Sequence, residues 1–257
     1  MRRLDSCGSK VMKTKEEVFN YIKEQEKSDI SFCKIGSDSK NLIISFAGNG
    51  HEGYERKSSL VNLKYDDQNS NFDILLVRDR FHWYLESLNG IGSDVDTTVK
   101  FLKKESSNYD NVITTGTSAG GYASILFGSL LNVHTVIANV PQIDLEYVVN
   151  KSWPSSYKNK EEGGLLWISK SVYSSKDYFK YKNLAEIMQP NISYYCGWYA
   201  NPLNKISTLL HGEHHYDNIK HFKNVKLLWN FIPYDPDDLG ATATFEKIKE
   251  VLRDLSK

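Results

Sequence analysis

Cysteine is scarce in this sequence: Cys7, Cys33 and Cys196 are an odd three with no Cys-x-x-Cys spacing. That argues against a disulfide framework and against a structural zinc site, and free thiols in a reducing, cytoplasmic compartment are expected. Long apolar runs are missing too. No stretch approaches the roughly 18 to 20 apolar residues that span a bilayer. After Arg2 and Arg3 the chain reads Leu4-Asp5-Ser6-Cys7-Gly8, without the apolar region of a secretory signal. Excess charge is absent as well. Lys plus Arg and Asp plus Glu stand at 32 each, so nothing in the balance directs the chain to nucleic acid or to an anionic membrane. A neutral or small-molecule partner is expected. There is no internal repeat and no low-complexity tract, and no resident cofactor or metal is expected.

What is present is a chain of 257 residues, 40% of them apolar, enough for one substantial core and one domain over residues 1–257. Thr14-Lys15-Glu16-Glu17 reads as a capping box opening a helix over about 14–26. Ile30 to Ile35 reads as a short strand and Asn41 to Phe46 (NLIISF) as a strand buried on both faces, the two forming a hairpin at one edge of a sheet. Helices near 54–63 and around Val95, Val99 and Leu102 alternate with strands Phe72–Val77 and Asn111–Thr115. Helix 119–131, strand Thr135–Val140, strand Asn191–Cys196, a short helix near 215–222, strand Val225–Phe231 and a last helix through Phe245, Ile248, Leu252 and Leu255 complete the series. Alternation of this kind predicts an α/β fold with a mainly parallel central sheet and helices on both faces. The stretch 144–190, with Trp153, Trp167 and several tyrosines, is too long for a simple crossover and predicts a cap or lid insertion. Its aromatics either pack the cap or form a stacking surface for a sugar.

Between strand Asn111–Thr115 and helix 119–131 stands Gly116-Thr117-Ser118-Ala119-Gly120. A strand, G-x-S-x-G and a helix opening with small residues make a nucleophile elbow, the signature of the α/β-hydrolase fold. The serine sits at a strained turn, so the positions two before and two after must be nearly free of side chain for strand and helix to approach. The Ala119 N–H then faces the place where an oxyanion forms, and the loop after NLIISF supplies the second donor, Ala47 or Gly48. That loop also spells G-x-G-x-x-G through Gly48, Gly50 and Gly53, with Asp79 closing the next strand. A dinucleotide-binding oxidoreductase is therefore a minor alternative, one that leaves the Ser118 elbow unexplained.

The segments LLVRDRFHWYL (75–85), GTSAGGYASILFG (116–128) and VIANVPQIDL (136–145) resemble bacterial α/β-hydrolase-like proteins of capsule and surface-polysaccharide genes, including capsule O-acetyltransferases. The resemblance covers about residues 41–146. It implies that Ser118 takes an acetyl group from a donor such as acetyl-CoA and passes it to a sugar hydroxyl or to water.

The triad order of this fold is serine, then acid, then histidine after the last strand. Here the last strand leads into Ile232 to Gly240, which holds Asp235, Asp237 and Asp238 but no histidine. A serine hydroxyl without a base is a poor nucleophile. Downstream histidines are His134, at the head of a strand, and the cluster His211, His214, His215 and His221 beside Asp217. His214 or His215 is the expected base, with Asp217 or Asp144 as the orienting acid; His51 and His82 lie on loops at the same rim. The cluster also has metal-ligand character, which the following lysines oppose. Two readings follow: a serine hydrolase or O-acyltransferase acting on an ester or carbohydrate-type substrate, or a catalytically silent relative serving as a binding or assembly module.

Overall fold

The computed structural model describes residues 14–36, 38–48, 53–67, 71–79, 83–150, 176–198, 213–228 and 241–255. Seven strands, β1 (Phe32–Ile35), β2 (Asn41–Phe46), β3 (Asp73–Val77), β4 (Asn111–Thr117), β5 (Thr135–Asn139), β6 (Ser193–Gly197) and β7 (Val225–Leu227), form one sheet in the order β1-β3-β2-β4-β5-β6-β7. Every neighbouring pair is parallel except β1 with β3. The helices with described residues are α1 (Lys15–Lys27), α2 (Lys57–Asp66), α3 (Val95–Ser106), α4 (Ala119–Leu131), α5 (Leu145–Asn150), α6 (Lys176–Tyr181), α7 (Glu213–Asp217) and α8 (Ala241–Leu255). Among the described residues no helix is long and apolar enough to cross a membrane.

The hairpin predicted between the first two strands does not form. β3 lies between them, pairing antiparallel with β1 (Phe32 opposite Val77) and parallel with β2 (Leu42 opposite Asp73). All six residues of β2 are buried, so β2 takes an interior place with a strand on each side. β1, whose burial alternates, is left for the edge.

Alternation along β2 divides the core in two. Leu42, Ile44 and Phe46 pack with Leu75, Val77, Leu102, Tyr122 and Phe127, so α3 and α4 cover that face. Ile43 packs with Val18, Ile22, Leu60, Ile74, Ile248 and Leu252, so α1, α2 and α8 cover the other. The period of two sends successive side chains to opposite layers, as a two-sided parallel sheet requires. α4 is apolar nearly all round, with Ala119 through Ser129 buried, because it is enclosed by more than the sheet. α1 starts at the predicted capping box: Glu17 N–H donates to Thr14 Oγ1 at 3.2 Å and Thr14 N–H to Glu17 Oε2 at 3.1 Å. Its C-terminal end is held by Arg78, which donates to the carbonyls of Ser28 (2.6 Å), Ile30 (3.2 Å) and Glu26 (3.4 Å) and lies over the Tyr54 ring.

Part of the predicted insertion over 144–190 is described. Leu145 N–H donates to Lys182 O and Leu184 N–H to Ile143 O, each at 2.8 Å, and Tyr122 Oη donates to Tyr181 O at 2.8 Å. The chain thus leaves and rejoins the fold at one place beside α4. Trp153 and Trp167 fall outside the described residues, as do Phe231 and the aspartate-rich turn after β7. Cys33 and Cys196 are buried thiols without a disulfide. Cys7 lies outside the described residues.

Candidate active site

Ser118 is the single residue between β4 and α4, and its backbone stands at φ 55, ψ −119. Positive φ in a non-glycine residue costs of order 1–3 kcal/mol and persists only where its surroundings impose it. Ser118 N–H donates to Asn139 O at the end of β5, and Ser118 O accepts from Tyr122 N–H, each at 2.9 Å. The glycines around it explain how strand and helix come so close. A Cβ on Gly116 would lie 2.3 Å from Gly120 O, and one on Gly120 would lie 2.2 Å from Phe46 O. Both obstacles are backbone.

A second strained turn stands beside the first. Val140 has φ 41 although β-branched, and it follows β5 as Ser118 follows β4. Val140 N–H donates to Gly197 O at 2.8 Å, and Pro141 O accepts from Trp198 Nε1 at 2.9 Å. The turn delivers Gln142, fully buried, whose Nε2 lies 3.4 Å from Ser118 Oγ. Sequence reasoning missed Gln142. The signal was available: a polar residue just past the carboxyl end of a parallel strand next to the elbow is where open α/β sheets place their ligand contacts.

The Ala119 N–H belongs to the first turn of α4, where amides have no acceptor within the helix. The two amides expected to complete the oxyanion site are engaged elsewhere. Ala47 N–H extends the ladder to Val77 O at 2.9 Å, and Gly48 N–H donates to the Glu55 carboxylate. Glu55 and its neighbour Arg56 are both well buried. The Arg56 guanidinium donates to Thr117 Oγ1, at 3.0 Å from Nε, and lies over the Phe245 ring. The sequence carried no mark of either residue's part in bracing the elbow, because the contacts join a loop to a strand and to the last helix.

The two acids and two histidines named from sequence separate into distinct settings. His214 Nε2 lies 3.5 Å from Asp144 Oδ2, with Asn218 Nδ2 at 3.2 Å from the same nitrogen, and the ring stacks on Tyr147. Asp144 also accepts from Tyr147 N–H at 2.9 Å, which fixes the carboxylate at the start of α5. His215 is fully buried, and its Nδ1 accepts from Ile143 N–H at 3.2 Å. An Nδ1 that accepts leaves the ring proton of the neutral imidazole on Nε2. Asp217 pairs with Lys220 at 2.7 Å on the surface. α7 therefore docks through its histidines on the turn after β5, the turn that carries Gln142. His134 contacts Thr135 Oγ1 at the entry of β5, the end of the strand opposite Ser118. His51, His82 and His211 lie outside the described residues. Among the described residues no group of three or more His, Cys, Asp or Glu gathers as a metal site would require.

The groups a dinucleotide would use are also engaged. Gly48 N–H is held by Glu55. Asp79 Oδ2 accepts from Tyr84 N–H at 2.6 Å, and Tyr84 Oη donates to Ala47 O at 2.7 Å. Burial, reinforced by the charge of Asp79, keeps the Tyr84 phenol protonated well above its ordinary range.

No family model and no curated protein sequence matches the chain. Solved structures do. FphF, a fluorophosphonate-binding serine hydrolase of Staphylococcus aureus in a substrate-bound form, superposes with a TM-score of 0.53 at 12% identity, over 86% of this chain and 87% of that one. A variant of the capsule O-acetyltransferase of Neisseria meningitidis serogroup A in complex with CoA gives 0.54 at 15% identity, over 86% and 90%. The glycosylation-associated protein complex Gap123 of Streptococcus agalactiae gives 0.53 at 18% identity, over 86% of this chain and 44% of that one. With the strand order and the elbow, these establish the fold as that of α/β hydrolases.

Proposed function

We propose that the protein is a serine-dependent acyl-transfer enzyme, a hydrolase or O-acyltransferase of an ester or carbohydrate-type substrate. The observation that carries this reading is Ser118 itself, a non-glycine residue held at positive φ between β4 and the first turn of α4. A turn of that kind costs free energy, and a hydroxyl presented at a helix N-terminus is what the cost provides for.

The chemistry follows from the surroundings. Ser118 Oγ attacks the acyl carbonyl carbon, its proton passes to an imidazole, and the carbonyl electron pair moves to oxygen. The tetrahedral species then collapses, the leaving group departs with the proton, and an acyl-serine remains. Water or a sugar hydroxyl attacks next, giving hydrolysis or transfer and restoring Ser118 Oγ–H. We assign the base to His214, because Asp144 faces its Nε2 and stabilises the imidazolium that a base becomes. A thioester such as acetyl-CoA suits the donor role. The CoA complex of the capsule O-acetyltransferase supports that choice, as does the predicted aromatic content of the insertion for a sugar acceptor.

The direct test is labelling with a fluorophosphonate. Wild type is expected to label, with label lost in Ser118→Ala and reduced by two or more orders of magnitude in His214→Ala. Asp144→Asn is expected to slow labelling at least tenfold, whereas Asp217→Asn, whose carboxylate meets Lys220, leaves it within twofold. Folded wild type that takes no label beside a reactive control hydrolase would refute the proposal.

One set of observations favours a second reading, a silent assembly module: the Ala47 and Gly48 amides are engaged, and His215 accepts through Nδ1. The fold likeness to a protein of the Gap123 complex agrees with it. Absence of label in the folded wild type is its expected outcome.

A further inference from the structure

We infer that the side-chain amide of Gln142 is the second oxyanion donor, acting opposite Ala119 N–H in place of the Ala47 and Gly48 amides. The inference rests on Ser118 being the acyl-accepting nucleophile, and it explains a contradiction in the site. A developing oxyanion needs two or more preorganised donors in a low-dielectric setting. Among the described residues of the loop after β2 neither amide is open: Ala47 N–H is engaged in the sheet and Gly48 N–H by Glu55.

Gln142 has the required chemistry and place. Its Nε2 stands 3.4 Å from Ser118 Oγ. The oxyanion forms two covalent bonds beyond Oγ, so a donor that far from Oγ can sit about 2.7–3.1 Å from the charge once the carbon is bonded. The residue is fully buried, which strengthens a hydrogen bond to a developing charge.

Preorganisation is equally visible. Over Val140 to Ile143 the backbone is tied by Val140 N–H to Gly197 O, Trp198 Nε1 to Pro141 O, Ile143 N–H to His215 Nδ1 and Leu184 N–H to Ile143 O. The positive φ of Val140 is the local cost of aiming the next side chain but one at the nucleophile. His215 thereby gains a part as well: it is a positioning residue that holds the Gln142 turn.

The test compares wild type with Gln142→Met, which keeps the length and removes the donor, and with Gln142→Glu, which keeps the shape and sets a carboxylate against the charge. Rates are read as fluorophosphonate labelling and as kcat and KM for 4-nitrophenyl acetate, with circular dichroism melts for each variant. Gln142→Met is expected to lose about 10²–10³ in labelling rate and in kcat with KM unchanged, and Gln142→Glu to lose at least as much. A folded Gln142→Met or Gln142→Glu that labels within threefold of wild type overturns the inference and leaves Ser118 as nucleophile. A tenfold or greater acceleration in Glu55→Ala with no loss in Gln142→Met overturns it in favour of Gly48. Wild type that never labels refutes the serine reading itself, and the role of Gln142 with it.

Discussion

Gly120→Ala is the perturbation that most directly tests whether the elbow depends on backbone contact between α4 and β2. The added Cβ would lie 2.2 Å from Phe46 O, 2.8 Å from Ala47 O and 2.9 Å from Ala47 C. Real Cβ atoms do not approach backbone so closely, and no rotamer change relieves it, so α4 must move off the sheet. Overpacking of a well-filled core costs about 1–3 kcal/mol, and with three backbone obstacles the upper end applies. For a chain of this size 1 kcal/mol is worth roughly 2–4 °C in Tm, giving an expected drop of about 6–12 °C. The displaced helix start carries Ala119 N–H with it, so labelling should fall further than stability accounts for. Gly128→Ala is the control. Its Cβ meets Val136 Cγ2 at 2.6 Å and Thr114 Oγ1 at 2.7 Å, atoms of buried β-branched side chains that must shift, so stability should fall here too, while its place at the far end of α4 leaves the labelling rate at that of wild type. A Gly120→Ala protein that melts within 2 °C of wild type and labels at the same rate would refute the reasoning. So would a folded Gly128→Ala protein whose labelling falls as far as that of Gly120→Ala.

Two further substitutions read out the rest of the scaffold. Arg78→Ala removes a buried guanidinium from the carbonyls at the end of α1 and from the Tyr54 ring, and about 3–5 kcal/mol should be lost in urea unfolding. Arg78→Lys should recover less than half, since an ammonium cannot reproduce the fork; full recovery would show that charge alone suffices. Asp94 caps α3 by accepting from Thr97 N–H at 2.8 Å, and that bond, followed by one from the Thr97 hydroxyl, holds its carboxyl below the ordinary range. A folded-state pKa that is depressed contributes stability above the unfolded pKa and loses it as pH falls. Asp94→Ala should therefore cost about 1 kcal/mol near neutral pH. The gap to wild type should narrow as pH falls through about 4; a gap independent of pH would refute the assignment.

Much of the fold was legible because it is written in local pattern. NLIISF is a strand over Asn41–Phe46 in both sequence and structure, and α4 runs over Ala119–Leu131 as its flanking residues predict. Neighbour relations were not legible in the same way. Hydrophobicity tells which faces a strand buries and not which strand lies beside it, so chain order suggests β2 as the neighbour of β1 where the structure has β3. The nucleophile was legible because its glycines are a steric necessity. Its surroundings were harder to read. Asp144 and Asp217 are equal in chemistry and close to the same histidines, and only the structure separates the one facing His214 from the one facing Lys220. The contact between Gly48 N–H and Glu55 was not legible either, since a glycine-rich loop leaves open what its amides bind.

The antiparallel docking of β1 against β3 also has a temporal side. On a growing chain β1 leaves the ribosome ahead of β2 and α2, and its hydrogen-bonding partner follows both. At roughly 5–20 residues per second the strand waits for seconds with both edges open. The helix before it can form at once, since its capping box is local, and offers Val18 and Ile22 as a first apolar surface. β1, the earliest of the described strands in the chain, then has no native ladder until β3 has followed it, and hydrogen exchange on arrested nascent chains should find the amides of Phe32–Ile35 unprotected before β3 emerges and protected after it. Protection of β1 before β3 emerges would mean that it pairs with something other than its final neighbour while it waits.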